Sequence, residues 1–298
     1  MRLVANNARS SSFSVYDAFK RGLNLPALLA SEGRADAGIS HGGRLAKATT
    51  PPKAWAPLDF EDSISAAYRF VEDRKRELAD VSAVEVAGLT RLGGRPTNFD
   101  LGKLFNLHVM HPVEIALLQM KLPEAYELRV RSGPCMEERN GRAVVLEAVN
   151  LNQATAKPLA VLQLEGLGAV QDRLDLIMVA EVARQDAEAL APTSKPLFKA
   201  DGLVLVKQCA ANAVLFGTRH VAMCDWSVAL YFDFAQLPQV LQAAEPETDS
   251  KTKTEGRSAG DFVLMHAQSN PDTFHYALLA FFKGAVDEWI QGLSTGEQ

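Results

Sequence analysis

Residues 199–217 read KADGLVLVKQCAANAVLFG and residues 219–234 read RHVAMCDWSVALYFDF, and this stretch decides the fold. The first run is apolar on nearly every side, as a helix buried in a protein interior must be. Gly217 closes it, because glycine takes the left-handed conformation that ends a helix. The second run holds two β-rich segments on either side of Asp225-Trp226, which predicts a hairpin. A buried helix feeding a hairpin is a fragment of an α/β sheet domain.

Upstream, residues 126–131, 142–149 and 158–165 predict three more strands, with Asn140-Gly141 as a hairpin turn between the first two. Residues 169–191 carry Gln171, Asp175, Glu181, Gln185 and Glu188 at helical spacing and predict a long helix. Phe60, Ile64, Ala67, Tyr68, Val71 and Leu78 mark one face of an earlier helix, with Asp59 or Asp62 available as its cap. Residues 101–120 predict a helix broken at Pro112. Asn270-Pro271-Asp272 opens a last helix, striped by Phe274, Leu278, Phe281, Ala285 and Trp289, whose apolar face must dock on the sheet. The expected architecture is therefore α/β, with α+β as the alternative: a single mixed sheet of about five strands flanked by helices.

The 298 residues are 47% apolar and 22% charged, an ordinary globular composition. No uninterrupted apolar run is long enough to span a bilayer, so a soluble protein without a membrane partner is expected. Cys135, Cys209 and Cys224 are too few and too scattered for a disulfide framework, which fits a reducing, intracellular compartment. The formal charge of −5 is unevenly spread. Residues 1–57 hold eight Lys/Arg against three Asp/Glu, so they carry +5 and the remainder −10. Low in periodicity and rich in Ser, Gly and Pro, residues 1–57 are expected to be a mostly disordered basic tail, followed by one α/β domain over 58–295. The start resembles an organelle transit peptide in composition. Asp17 and the lack of a cleavage pattern favour a cytoplasmic or nuclear protein over a mitochondrial one. Residues 245–260, rich in Lys, Thr and Glu, are expected to form a mobile insertion.

Several chemistries find little support. No Gly-x-Ser-x-Gly marks a hydrolase nucleophile. His108, His111 and Glu114 have metal-ligand character, but Pro112 disfavours the helical conformation at His111 that would bring the two imidazoles together, and no metal site is expected. Glu165-Gly166-Leu167-Gly168 followed by Gln171 has the context of a dinucleotide turn without its third glycine, and no nucleotide cofactor is expected. Arg74-Lys75-Arg76 is surrounded by Glu72, Asp73 and Glu77 and reads as a solvated helix face.

One constellation remains. Glu147 lies on the second of the three strands, and Gln163-Leu164-Glu165 ends the third, after the apolar run Pro158-Leu159-Ala160-Val161-Leu162. The order strand, strand, strand, helix, helix, hairpin from Tyr126 to Phe234 resembles the core of the PD-(D/E)XK restriction-endonuclease-like proteins. The resemblance implies an acid on one strand and an E-x-K triplet on the next, which hold magnesium and polarise the attacking water. It also implies that the helix around Gln208 and the hairpin at Asp225-Trp226 are the elements that follow. Here Gln163 stands at the acid position and Glu165 at the lysine position, and the second register, Glu181-Val182-Ala183, also lacks the lysine although Arg184 is adjacent. A neutral amide binds magnesium poorly, and a carboxylate cannot replace the cation.

Glu147, Gln163 and Glu165 are thus a candidate degenerate site. The expectation is a non-catalytic module that binds nucleic acid or protein, with no cofactor. Two alternatives stand beside it. One is an active magnesium-dependent nuclease whose lysine is relocated, for instance to Lys157 or Lys207. The other is a scaffolding protein of unrelated α/β fold, in which Glu147 and Glu165 are solvent-facing strand ends.

Overall fold

The computed structural model describes residues 13–23, 49–83, 98–134, 142–165, 170, 200–237 and 258–295. Seven strands form one mixed sheet: β1 (Ala54–Pro57), β2 (Tyr126–Pro134), β3 (Arg142–Asn150), β4 (Thr155–Leu164), β5 (His220–Cys224), β6 (Ala229–Asp233) and β7 (Phe262–Gln268), in the spatial order β1-β7-β6-β5-β4-β3-β2. β2, β3 and β4 are an antiparallel meander. A crossover through the helix Ala200–Phe216 places β5 parallel to β4, and β5, β6 and β7 are again antiparallel. β1 closes the far edge parallel to β7. The α/β class and the single mixed sheet are as expected, but the sheet is larger by β1 and β7.

The helices, in chain order, are α1 (Val15–Arg21), α2 (Glu61–Asp73), α3 (Lys75–Ala79), α4 (Asn98–Phe105), α5 (His111–Leu117), α6 (Ala200–Phe216) and α7 (Phe274–Thr295). Alternation along the strands assigns the two faces of the sheet. Val144, Leu146, Ala148, Ala160, Leu162, Ala222 and Tyr231 point to one side, where α1, α2, α5 and α7 pack. Val221, Met223, Leu230, Phe232, Val263 and Met265 point to the other, under α6. β5 and β6 are covered on both sides, which is why their sequences read as continuous apolar runs rather than alternating ones. The stripe Phe274, Leu278, Phe281, Ala285 and Trp289 is buried along α7.

Several local features follow from single residues. Gly217 has φ +62° and ends α6 as its sequence predicts. Pro158 sits in an interior strand because the register shifts between Leu146 and Glu147: Leu146 faces Ala160 and Glu147 faces Pro158. A bulge is the place where a missing N–H costs least. The predicted break at Pro112 does not occur. Pro112 occupies the first turn of α5, and the irregularity lies ahead of it, in a π-helical turn over Asn106–Met110. The cap of α2 is Phe60, with no side-chain hydrogen bond, rather than Asp59 or Asp62. Arg74 stacks on the Phe70 ring at 3.8 Å and points a guanidinium N–H at the carbonyl of Gln119, so it packs rather than reaching solvent freely.

Residues 1–57, expected to be mostly disordered, contribute two ordered elements where they are described, α1 and β1. Ser14 and Asp17 form a capping box that starts α1: the Ser14 hydroxyl accepts from the Asp17 N–H at 3.2 Å, and the Ser14 N–H donates to the Asp17 carboxylate at 3.0 Å. Val15 and Phe19 are then fully buried, and Trp55 of β1 is 5% exposed. Burying a phenylalanine contributes about 2–3 kcal/mol, and with Val15, Ala18 and the capping box it helps hold a short segment that periodicity analysis passes over. All but Val170 of the predicted helix over 169–191, the turn at Asn140-Gly141 and most of the insertion over 245–260 lie outside the described residues.

Candidate functional site

β3 and β4 lie side by side and present Glu147 and Gln163 on the face that α6 covers, but at opposite ends. Gln163 pairs with Ala143 and Glu147 with Pro158. Four residues of strand between Ala143 and Glu147 correspond to about 13 Å. The two side chains therefore occupy separate environments.

Glu147 is 4% exposed and belongs to β2 as much as to β3. Arg129 stands directly opposite and donates through Nε and Nη2 to one carboxylate oxygen at 3.0 and 2.8 Å; Arg131 donates to the other at 3.0 Å. A buried carboxylate is retained only where such partners replace its water. Both arginine side chains remain about half exposed, at 50% and 54%.

Gln163 is 1% exposed at the carboxyl end of β4. Its amide oxygen accepts from Asn212 Nδ2 of α6 at 2.6 Å, and its amide nitrogen donates to Glu165 at 2.5 Å. Gln208 and Asn212 are one helical turn apart and both buried, so they form a polar pair on one side of α6. The Glu165 N–H donates to the Cys224 carbonyl at 2.8 Å, which sets Glu165 beside the end of β5. Burial, with smaller contributions from the charge of Glu165 at Cys209 and of Asp225 and then Glu165 at Cys224, pushes both thiols well up, so both stay protonated and unreactive.

Asp225, wholly buried at the same end, makes the hairpin rather than a reaction. One carboxylate oxygen accepts from the Ser227 and Val228 N–H groups at 3.0 Å each, and the other from the Val170 N–H at 2.7 Å. This closes an Asx turn in which Trp226 takes φ +77°.

The structure thus brings Gln163 and Glu165 together, with Asn212, and keeps Glu147 apart from them. Sequence reading overlooked Asn212, although its signal is plain in retrospect: two amides four residues apart, Gln208 and Asn212, in a helix with no other reason to carry them. Among the described residues neither Lys157 nor Lys207 bonds to Glu147 or Glu165. His108 is buried in the π-helical turn, and no group of three His, Cys, Asp or Glu side chains among the described residues converges on a metal-sized space. Glu181 and Arg184 lie outside the described residues.

Among the described residues no helix is long and apolar enough to cross a membrane. Comparison with protein-family models, curated proteins and solved structures found no match for this chain.

Proposed function

We propose that the chain is a non-catalytic binding protein on a restriction-endonuclease-like frame. Support for the frame comes from the meander β2-β3-β4 followed by α6 and a parallel β5, which match the part of the resembling run of elements that falls on described residues. Support for the loss of catalysis comes from one observation: Glu147 is neutralised by Arg129 and Arg131, about four strand residues from the Gln163–Glu165 pair. A magnesium ion needs its carboxylates within about 2.0–2.1 Å of itself, and these two cannot share one. The Gln163 oxygen, which would have to serve as the next ligand, is already an acceptor for Asn212.

A protein is the partner the charge favours, since residues 58–298 carry −10 and repel a phosphate backbone. The test is incubation of the purified full chain with labelled single- and double-stranded DNA and with RNA, in magnesium and in manganese. No cleavage is expected. Cleavage that disappears in Glu147→Ala or Glu165→Ala would establish the active-nuclease alternative, and tight salt-dependent DNA binding without cleavage would replace protein by nucleic acid as the partner.

A further inference from the structure

β2 is a nine-residue edge strand, Tyr126–Pro134, and among the described residues its outer side faces no other strand of the sheet. Exposed edges of that length invite pairing with another chain. On one face β2 presents Glu127, Arg129 and Arg131, all exposed. On the other it presents Leu128, a buried member of the core, flanked by Tyr126 and Val130, which are partly buried and pack against it.

We infer that β2 pairs with β2 of a second copy of this chain, antiparallel across a two-fold axis through Leu128, to give one continuous sheet. The charges select that register. Centred on Leu128, Glu127 of each copy stands opposite Arg129 of the other, Tyr126 opposite Val130, and Leu128 opposite Leu128. Centring on Arg129 or Glu127 sets a charge against itself, and centring on Val130 sets Arg129 against Arg131 twice. A centre between residues sets each side chain opposite one that points to the other face, which antiparallel pairing across a two-fold axis does not allow. Only the Leu128 axis pairs opposite charges without a like-charge row.

Two further features agree. Arg129 uses Nε and Nη2 for Glu147, which leaves Nη1 to meet a carboxylate of the second copy. Each Arg129 would then lie between Glu147 of its own copy and Glu127 of the second. In addition, Leu107 and Leu151 are 47% and 54% exposed at opposite ends of β2. The first follows Asn106, which donates to Ser132 Oγ at 3.0 Å, and the second donates its N–H to the Ala125 carbonyl at 2.9 Å. Antiparallel apposition sets the Leu107 end of one copy beside the Leu151 end of the other. The interface is isologous and closes at two copies. It is independent of whether the frame descends from a nuclease.

The test is the mass of the full chain by sedimentation equilibrium. Twice 32.4 kDa is expected, and a single chain mass at the highest soluble concentration would overturn the inference. Glu127 has no hydrogen bond or ion pair within its own copy among the described residues, so Glu127→Arg should keep the fold, checked by its melting temperature. Opposing two arginines on each side of the axis should raise the dimer dissociation constant by at least about tenfold. An unchanged constant would place the interface elsewhere. Leu128→Cys in a Cys135→Ser background should cross-link under mild oxidation, while Arg131→Cys in the same background, facing Ala125, should not. Equal cross-linking of the two would reject the register.

Discussion

Arg129 of β2 and Glu147 of β3 are cross-strand partners, and two guanidinium nitrogens of Arg129 converge at 3.0 and 2.8 Å on one oxygen of a carboxylate that is itself 4% exposed. The pair shows where the charge of the candidate site has gone. A strand carboxylate that sequence reading offers as a metal ligand is instead held by two arginines of the neighbouring strand.

Glu147 should therefore behave as a structural residue. Glu147→Ala leaves Arg129 and Arg131 facing each other with their shared counter-ion gone, but half exposed, so water recovers part of the loss. The expected cost is about 2–3 kcal/mol of unfolding free energy in a urea titration, with Arg131→Ala costing about 1 kcal/mol because Arg129 still pairs with the carboxylate. A Glu147→Ala variant as stable as the parent would show that the cluster contributes nothing.

The hydrogen bond from Asn212 to Gln163 makes a sharper case, since both side chains are buried, at 5% and 1% exposure. Asn212→Leu strands the Gln163 oxygen without its donor and should destabilise by about 1–3 kcal/mol. Replacing both partners, in Asn212→Leu with Gln163→Leu, removes the unsatisfied group and should cost less than the sum of the two single changes. Strict additivity in the four-member cycle would mean that the bond carries no coupling.

How much of this was legible in the sequence depended on whether the signal was local. The apolar run of α6, Gly217 and the β5–β6 segments announce themselves by composition and turn chemistry within a few residues, and so does the stripe on α7. β1 is four residues long and β7 opens just beyond a polar stretch, so neither offers enough alternation to stand out. α1 is held mainly by tertiary contacts: Phe19 is buried among distant residues, and the Leu23 N–H donates to the Pro271 carbonyl at 2.8 Å. The register of β3 on β4 sets Gln163 against Ala143, four residues from Glu147, and it follows from pairing across the turn at 151–154, which hydrophobic pattern alone does not report.

His275 gives the stability a pH dependence of defined sign. It is 2% exposed at the start of α7, its Nε2 lies 3.1 Å from the His108 carbonyl, and its Nδ1 has no partner among the described residues. The carbonyl requires Nε2 to donate, so protonation adds a buried charge at Nδ1. Burial accordingly holds the imidazole below its ordinary 6.5, more strongly than the carbonyl contact raises it. The unfolded chain takes up the proton first. The stability associated with neutral His275 is thus complete above pH 6.5 and declines as pH falls through that value towards the folded pKa, by at most about 1.4 kcal/mol per pH unit. Denaturation curves between pH 7.5 and 5.5 should show this decline in the parent and a weaker one in His275→Phe. The comparison cancels Glu114, whose partial burial pushes its carboxyl up and acts in the opposite direction. Identical pH profiles would assign the decline to other groups.

Gly22 and Gly217 both end helices with positive φ, at +65° and +62°, yet they should respond differently to alanine. At Gly217 a methyl group meets nothing within 4 Å, so only the left-handed backbone resists, for about 1–2 kcal/mol. At Gly22 the same methyl falls 2.7 Å from the Pro271 carbonyl oxygen and 2.8 Å from the Asp272 Cα, both backbone atoms that cannot rotate away. The strand of contacts that ties α1 to the entrance of α7 would have to open, including the Leu23 hydrogen bond to Pro271, and Phe19 would lose part of its burial. Gly22→Ala should then cost about 3 kcal/mol or more, beyond the backbone term alone. Chemical denaturation of the two variants side by side measures the difference. Equal losses would mean that α1 is free to shift on its groove, and that its close approach to Pro271 plays no part in holding the chain's first helix against its last.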